Sequence, residues 1–163
     1  MKNEQLTRVA DVFVGEWDVV ISNQRWVDDT TAITKGLAKG EWLGDAFVQL
    51  RMWFEGEGSE LFGDTAPEQH DDLGEPNMHF VFGRSDARDR FVTLSYDERG
   101  TLRVFDFMVD GDAWELHRSD PDFHQRFVGR VEGNQILAHP DISEDEGATW
   151  IKDFDLTFTR TRR

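Results

Sequence analysis

The sequence predicts an all-β fold: about ten antiparallel strands in up-and-down order, preceded by a short N-terminal helix. Three observations carry this. Six Trp and thirteen Phe in 163 residues supply bulky side chains that favour strands. The segment from Asp153 to Arg160 alternates strictly, with Phe154, Leu156, Phe158 and Arg160 on one face and Asp153, Asp155, Thr157 and Thr159 on the other. That period of two is the mark of a strand buried on one side. Between residue 77 and the end of that segment, strand-like runs follow one another with short turn signals between them, as in a meander.

Leu6, Val9, Ala10 and Phe13 fall on one helical stripe, so the spacing predicts an amphipathic helix over 3–13 that plugs one end of the sheet beside Trp17. From Gly15 the period changes to two. Trp17, Val19 and Ile21 share a face of the first strand, opposite Glu16 and Asp18. A weaker second strand is expected over 31–39. A third over 46–54 carries Val48, Leu50, Met52 and Phe54 on a wholly apolar face. Residues 55–76, rich in Gly, Asp and Glu, form one long loop, of a length usually found in lids or surface segments. The remaining strands are expected at 77–84, 90–96, 101–109, 113–119, 123–131, 134–140 and 149–160. That makes about ten, enough to close an up-and-down barrel; a sandwich is the competing architecture.

The turns set the register. Asp97-Glu98-Arg99-Gly100 reads as a three-residue loop with a G1 bulge, placing Ser95 by Arg103, Thr93 by Phe105 and Phe91 by Phe107. Asp110-Gly111 reads as a two-residue type I′ turn that would pair Phe107 with Trp114, Phe105 with Leu116 and Arg103 with Arg118. The opposite face would then oppose Asp106 and Glu115, tolerable mainly in water, so the aromatic face is assigned to the interior. Gly133-Asn134 reads as another two-residue turn, with Phe127, Gly129, Val131, Ile136 and Ala138 inside and His124, Arg126, Arg130 and His139 outside. Gln125 falls on the inner face.

Gly15-Glu16-Trp17 on the first strand and Arg160 ending the last resemble the signature of the calycins, the lipocalins and their relatives. In these the first and last strands pair to close a barrel and the Arg lies over the Trp. Gly15, Trp17 and Arg160 are thus expected as closure elements, and the resemblance favours a closed barrel over a sandwich. Tyr96-Asp97-Glu98-Arg99-Gly100, Trp114-Glu115-Leu116, Phe123-His124-Gln125-Arg126-Phe127 and Trp150 through Arg160 are similar to an uncharacterised bacterial lipocalin-like family, a domain of unknown function. That resemblance implies a small calycin-type barrel with an internal pocket. It brings no reaction and no catalytic residues.

Length and composition bound the function. A chain of 163 residues is one domain, 1–163, large enough to bury roughly 70% of its unfolded surface. A formal charge of −15 and a pI near 4.6 argue against nucleic acid and against anionic membranes. The absence of Cys removes disulfides, thiol nucleophiles and Cys-ligated zinc. Met1 to Leu6 has no apolar leader core, so the cytoplasm is the expected location. No phosphate-binding Gly-Lys-Ser/Thr loop, Gly-x-Ser-x-Gly elbow or His-Glu-x-x-His motif occurs. Asp141 to Gly147 is acidic but fails the EF-hand pattern, with Glu146 where Gly should turn the loop and Lys152 where the bidentate Glu should be. No metal and no cofactor are expected.

The interior side chains point to a binding site. Phe105, Phe107, Trp114 and Phe127 are expected to line a pocket, with Arg103, Arg118, Gln125, Thr93 and Ser95 as its polar exceptions. Guanidinium groups stay charged, and an unpaired buried charge is costly. These arginines must meet internal acids, water at a mouth, or an anionic ligand. For Arg118, a strand end in solvent is the competing reading. The expected partner is a small hydrophobic or amphipathic molecule, with an anionic group in view of the arginines; a homodimer is allowed by the sequence. Three rivals remain open. An isomerase or hydrolase acting on a hydrophobic substrate would need an acid and a base inside, and this register gives neither an inward His nor an Asp/Glu pair. A haem-binding barrel of the nitrobindin kind would need an inward His. An interaction module would have its barrel filled by its own aromatics.

Overall fold

The computed structural model describes residues 2–55, 74–120 and 123–162. A single turn of 3-10 helix, Glu4–Leu6, leads into α1 (Thr7–Phe13). Eleven strands follow: β1 (Gly15–Ser22), β2 (Thr34–Leu43), β3 (Phe47–Phe54), β4 (Met78–Arg84), β5 (Phe91–Asp97), β6 (Leu102–Asp110), β7 (Ala113–Ser119), β8 (His124–Glu132), β9 (Gln135–Ser143), β10 (Ile151–Lys152) and β11 (Asp155–Arg162). Antiparallel neighbours run β9-β11-β1-β2-β3-β4-β5-β6-β7-β8, and β8 pairs again with β9, so ten strands close a ring. The two-residue β10 is appended to β9. Closure leaves no free sheet edge within the ring, which is what a barrel gains over a sandwich.

Closure is built from local geometry. Trp17 of β1 sits opposite Arg160 of β11, and the Arg160 guanidinium lies 4.0 Å from the indole ring centre. Arg160 Nη1 donates to the Val14 carbonyl at 2.6 Å and Trp17 Nε1 to the Phe13 carbonyl at 3.0 Å. The same pair therefore satisfies backbone acceptors left over at the end of α1. Gly15 has φ +138°, and a Cβ there would run into the Arg160 guanidinium and the Arg162 carbonyl. The position is closed to other residues both by conformation and by space.

α1 plugs the end of the barrel near Trp17. Leu6, Val9, Val12 and Phe13 are buried, and the Phe13 ring stacks on Phe82 at 4.9 Å and meets Trp114 edge-on at 5.2 Å. Towards the other end the core continues through Phe80, Phe105 and Phe127, with Phe127 5.9 Å from Phe105 and 6.2 Å from Phe80.

The structure corrects several expectations. β2 spans Thr34–Leu43 rather than 31–39. The stretch 149–160 is not one strand: four steps from Lys152 to Leu156 face three from Asp141 to Ala138, so β10 and β11 are separated by a bulge. The cause lies at Pro140 of β9, which has no N–H to give; its carbonyl accepts from Asp153 N at 2.9 Å instead. The β6–β7 turn is Gly111-Asp112, flanked by the pair Asp110 and Ala113. Gly111 takes φ +58°, the first central position of a type II′ turn. Phe107 consequently faces Leu116, not Trp114, and Asp106 faces His117, not Glu115. The slip is an even number of residues, so every side chain keeps its face. The expected Ser95–Arg103, Thr93–Phe105 and Phe91–Phe107 pairs are present, as are Val131–Ile136 and Gly129–Ala138. Most of the long loop expected over 55–76 lies outside the described residues.

Candidate binding site at the open mouth

The barrel end away from α1 carries a polar constellation on four consecutive strands. Ser95 of β5 faces Arg103 of β6, and Arg118 of β7 faces Gln125 of β8. The β6–β7 ladder runs from Asp106–Asp110 to Ala113–His117. Beyond it Leu102–Phe105 and Arg118–Ser119 are not paired with one another, and a cleft of about 500 Å³ lies against them. Its lining includes Leu102, Arg103, Phe105, Arg118 and Asp120. The cleft is lined mainly by charged and polar side chains, with Leu102, Val104 and Phe105 as its apolar members, so its character is that of a surface that attracts anions.

The electrostatics at its inner end are unbalanced. The Phe123 ring lies under both guanidinium groups, 5.9 Å from Arg103 and 5.1 Å from Arg118. Arg118 Nη2 pairs with Asp120 Oδ2 at 2.6 Å, but its buried Nη1 has no acceptor among the described residues. Arg103 has no ion pair among them; its site favours loss of the charge, first through burial and then through the nearby Arg118. Gln125 Oε1 and Thr93 Oγ1 are also buried without a hydrogen-bond partner among the described residues. Thr93 and Ser95 are buried, whereas Gln125 and Phe127 are half-buried.

Phe105 and Phe127 belong to this end. Phe107 and Trp114 belong to the other, in the cluster around Phe13, with Phe107 6.0 Å and Trp114 5.2 Å from that ring. The sequence pattern put all four on one face but could not say how far along the barrel axis each lies. Phe123 and Asp120 were missed, although their signal was present: Phe123 shares parity with Gln125, and Asp120 with Arg118.

The histidines lie elsewhere. His117, His124 and His139 occupy the outer face of β7–β9, His117 6.1 Å from the Trp150 ring. Arg126 bonds to the buried Asp141 at 2.7 Å and stacks on Trp150 at 4.1 Å. His79 stacks on Tyr96 at 4.4 Å outside the barrel, and burial, with Arg51 nearby, pushes its pKa down. None of these four faces the interior as a haem ligand would; His70 lies outside the described residues. In the acidic stretch, Asp145 accepts from Thr149 N, Thr149 Oγ1 and Ser143 Oγ, which holds its pKa down at about 2. Its oxygens tie the loop together.

No family model matches the chain, and no curated protein does. Among solved structures it is similar to the crystal structure of Rv2717c from M. tuberculosis, at 12% identity and a TM-score of 0.60, covering 99% of this chain and all of that one. At that identity the likeness shows the fold alone. Among the described residues, no helix is long and apolar enough to cross a membrane.

Proposed function

We propose that this protein is a calycin-type binding barrel for a small amphipathic anion, held with its charged group at Arg103 and Arg118 and its apolar part against Leu102, Phe105 and Phe127. The observation that carries the reading is the pair of guanidinium groups on the Phe123 ring, one with no ion pair among the described residues and the other with a buried amino group lacking an acceptor. Two cations at the edge of an aromatic core repel one another, and an anion between them relieves both their repulsion and their desolvation. A carboxylate gains charge-assisted, bidentate hydrogen bonds there that a neutral hydroxyl cannot.

The test is a titration with long-chain fatty acids and the corresponding neutral alcohols, followed by Trp emission. Acids should bind at least about tenfold more tightly, the equivalent of one charge-assisted hydrogen bond. Arg103→Lys should lose most of that difference while keeping the charge, because ammonium lacks the planar fork. Equal binding of acids and alcohols would leave an apolar barrel without an anchor.

A further inference from the structure

The charged groups at the inner end of the cleft have a definite sum. Arg103 and Arg118 contribute two positive charges, and Asp120 returns one negative charge, held on Arg118 at 2.6 Å. The other described groups facing them are neutral: Ser95 beside Arg103, Gln125 beside Arg118, and the Phe123 ring. Two nearby basic residues are already compensated. Arg90 pairs with Asp106 at 2.7 Å at the outer rim, and Arg99 with Asp97 at 2.6 Å. Arg88 lines the cleft from an exposed position at its outer lip. Among the described residues, the inner end is therefore left with one unit of uncompensated positive charge.

We propose that Asp120 determines the charge class of the ligand: it limits the site to a monoanionic head group, a carboxylate or a sulfate ester, and discriminates against the dianion of a phosphate monoester. This rests on the anion-binding reading above. Asp120 takes one edge of the Arg118 guanidinium. What remains for a ligand is the buried Nη1 of Arg118 and the guanidinium of Arg103. One oxyanion can bridge these two donors and bring the inner end to neutrality. Among the described residues, a second negative charge on the same head group finds no further cation beside the two guanidinium groups, Arg88 being exposed at the lip, and it sits within range of the Asp120 carboxylate, where like charges in a partly desolvated cleft repel strongly.

Octyl sulfate and octyl phosphate separate charge from shape, since both present a tetrahedral head on the same tail. At pH 8 the second proton of the phosphate monoester, with a pKa of about 6, is lost. Calorimetric titration should show octyl sulfate binding at least about fivefold more tightly than octyl phosphate to the unaltered protein, a ratio well above titration error. Asp120→Asn, nearly isosteric at a partly exposed position, should abolish or reverse that preference, and Asp120→Glu should restore it. Octyl phosphate binding as tightly as octyl sulfate to the unaltered protein overturns the proposal without any variant. An unchanged ratio in a folded Asp120→Asn protein does so too, and leaves the arginine anchor standing if octyl sulfate still outcompetes octanol. If octanol binds as tightly as octyl sulfate, the anchor falls and the proposal with it.

Discussion

Trp17 and Arg160 are the clearest case of one contact serving several needs. The indole fills the core, its N–H satisfies the Phe13 carbonyl, and the guanidinium above it satisfies Val14. Trp17→Ala should cost about 3–5 kcal/mol, as a large aromatic lost from a packed core. Arg160→Ala should cost less, about 1–3 kcal/mol. Because the groups touch, denaturant unfolding of the double variant should show a loss smaller than the sum, and strict additivity would contradict the contact. A second residue-scale test concerns Gly129. It lies opposite Trp114, and a Cβ there would overlap the indole. Gly129→Ala should destabilise by about 1–3 kcal/mol through overpacking. Combining it with Trp114→Leu should cost less than the two changes added, since the smaller side chain makes room; additive losses would place the strain elsewhere.

The loop between β9 and β10 shows how an acidic run becomes a structural element. Asp145 collects donors from Ser143 and Thr149, while Gly147 N donates to Ser143 Oγ at 2.8 Å. These bonds favour the carboxylate and pull the folded-state pKa to about 2, from an ordinary value of 3.8. A depressed carboxylate pKa means that the unfolded chain binds the proton more readily. The stabilisation is therefore complete above about pH 4 and is lost as pH falls towards about 2. Urea midpoints measured from pH 6 to pH 2 should fall more steeply for the unaltered protein than for Asp145→Asn across that window. Parallel curves would mean that the loop contacts carry no folding linkage.

The closed ring sets how the molecule as a whole responds to damage. β11 is hydrogen-bonded on both sides, to β1 and to β9. Removing residues 155–163 bares two edges at once and takes Leu156 and Phe158 from the core. The shortened chain should lose its cooperative thermal transition and associate through the exposed edges, readable by circular dichroism and size-exclusion chromatography. A monomeric truncated chain with a sharp transition would mean that the sheet is stable open. An anion bound as proposed would stabilise the ring by mass action, so acids that bind should also raise the melting temperature.

The alternation of apolar and polar residues, read with the turn residues, was enough by itself to determine an all-β meander with an aromatic interior, because the pleat has a period of two and a face is either buried or not. It survived even a misplaced turn: moving the β6–β7 loop by one position shifted the pairing by two residues and left every face unchanged. The sequence also put Arg103, Arg118 and Gln125 on the inner face; the structure sets the two arginines on the cleft and Gln125 opposite Arg118. What the sequence could not contain was position along the barrel axis, which depends on how the strands stagger around the whole ring. Only the tertiary structure separated Phe107 and Trp114, packed under α1, from Phe105 and Phe127 near the mouth. Only it parted β6 from β7 beyond Asp106 and brought Asp120 and Phe123 onto the arginines. A strand reports its neighbours through pattern, but a cleft is made where neighbours stop pairing, and that is a property of the closed sheet.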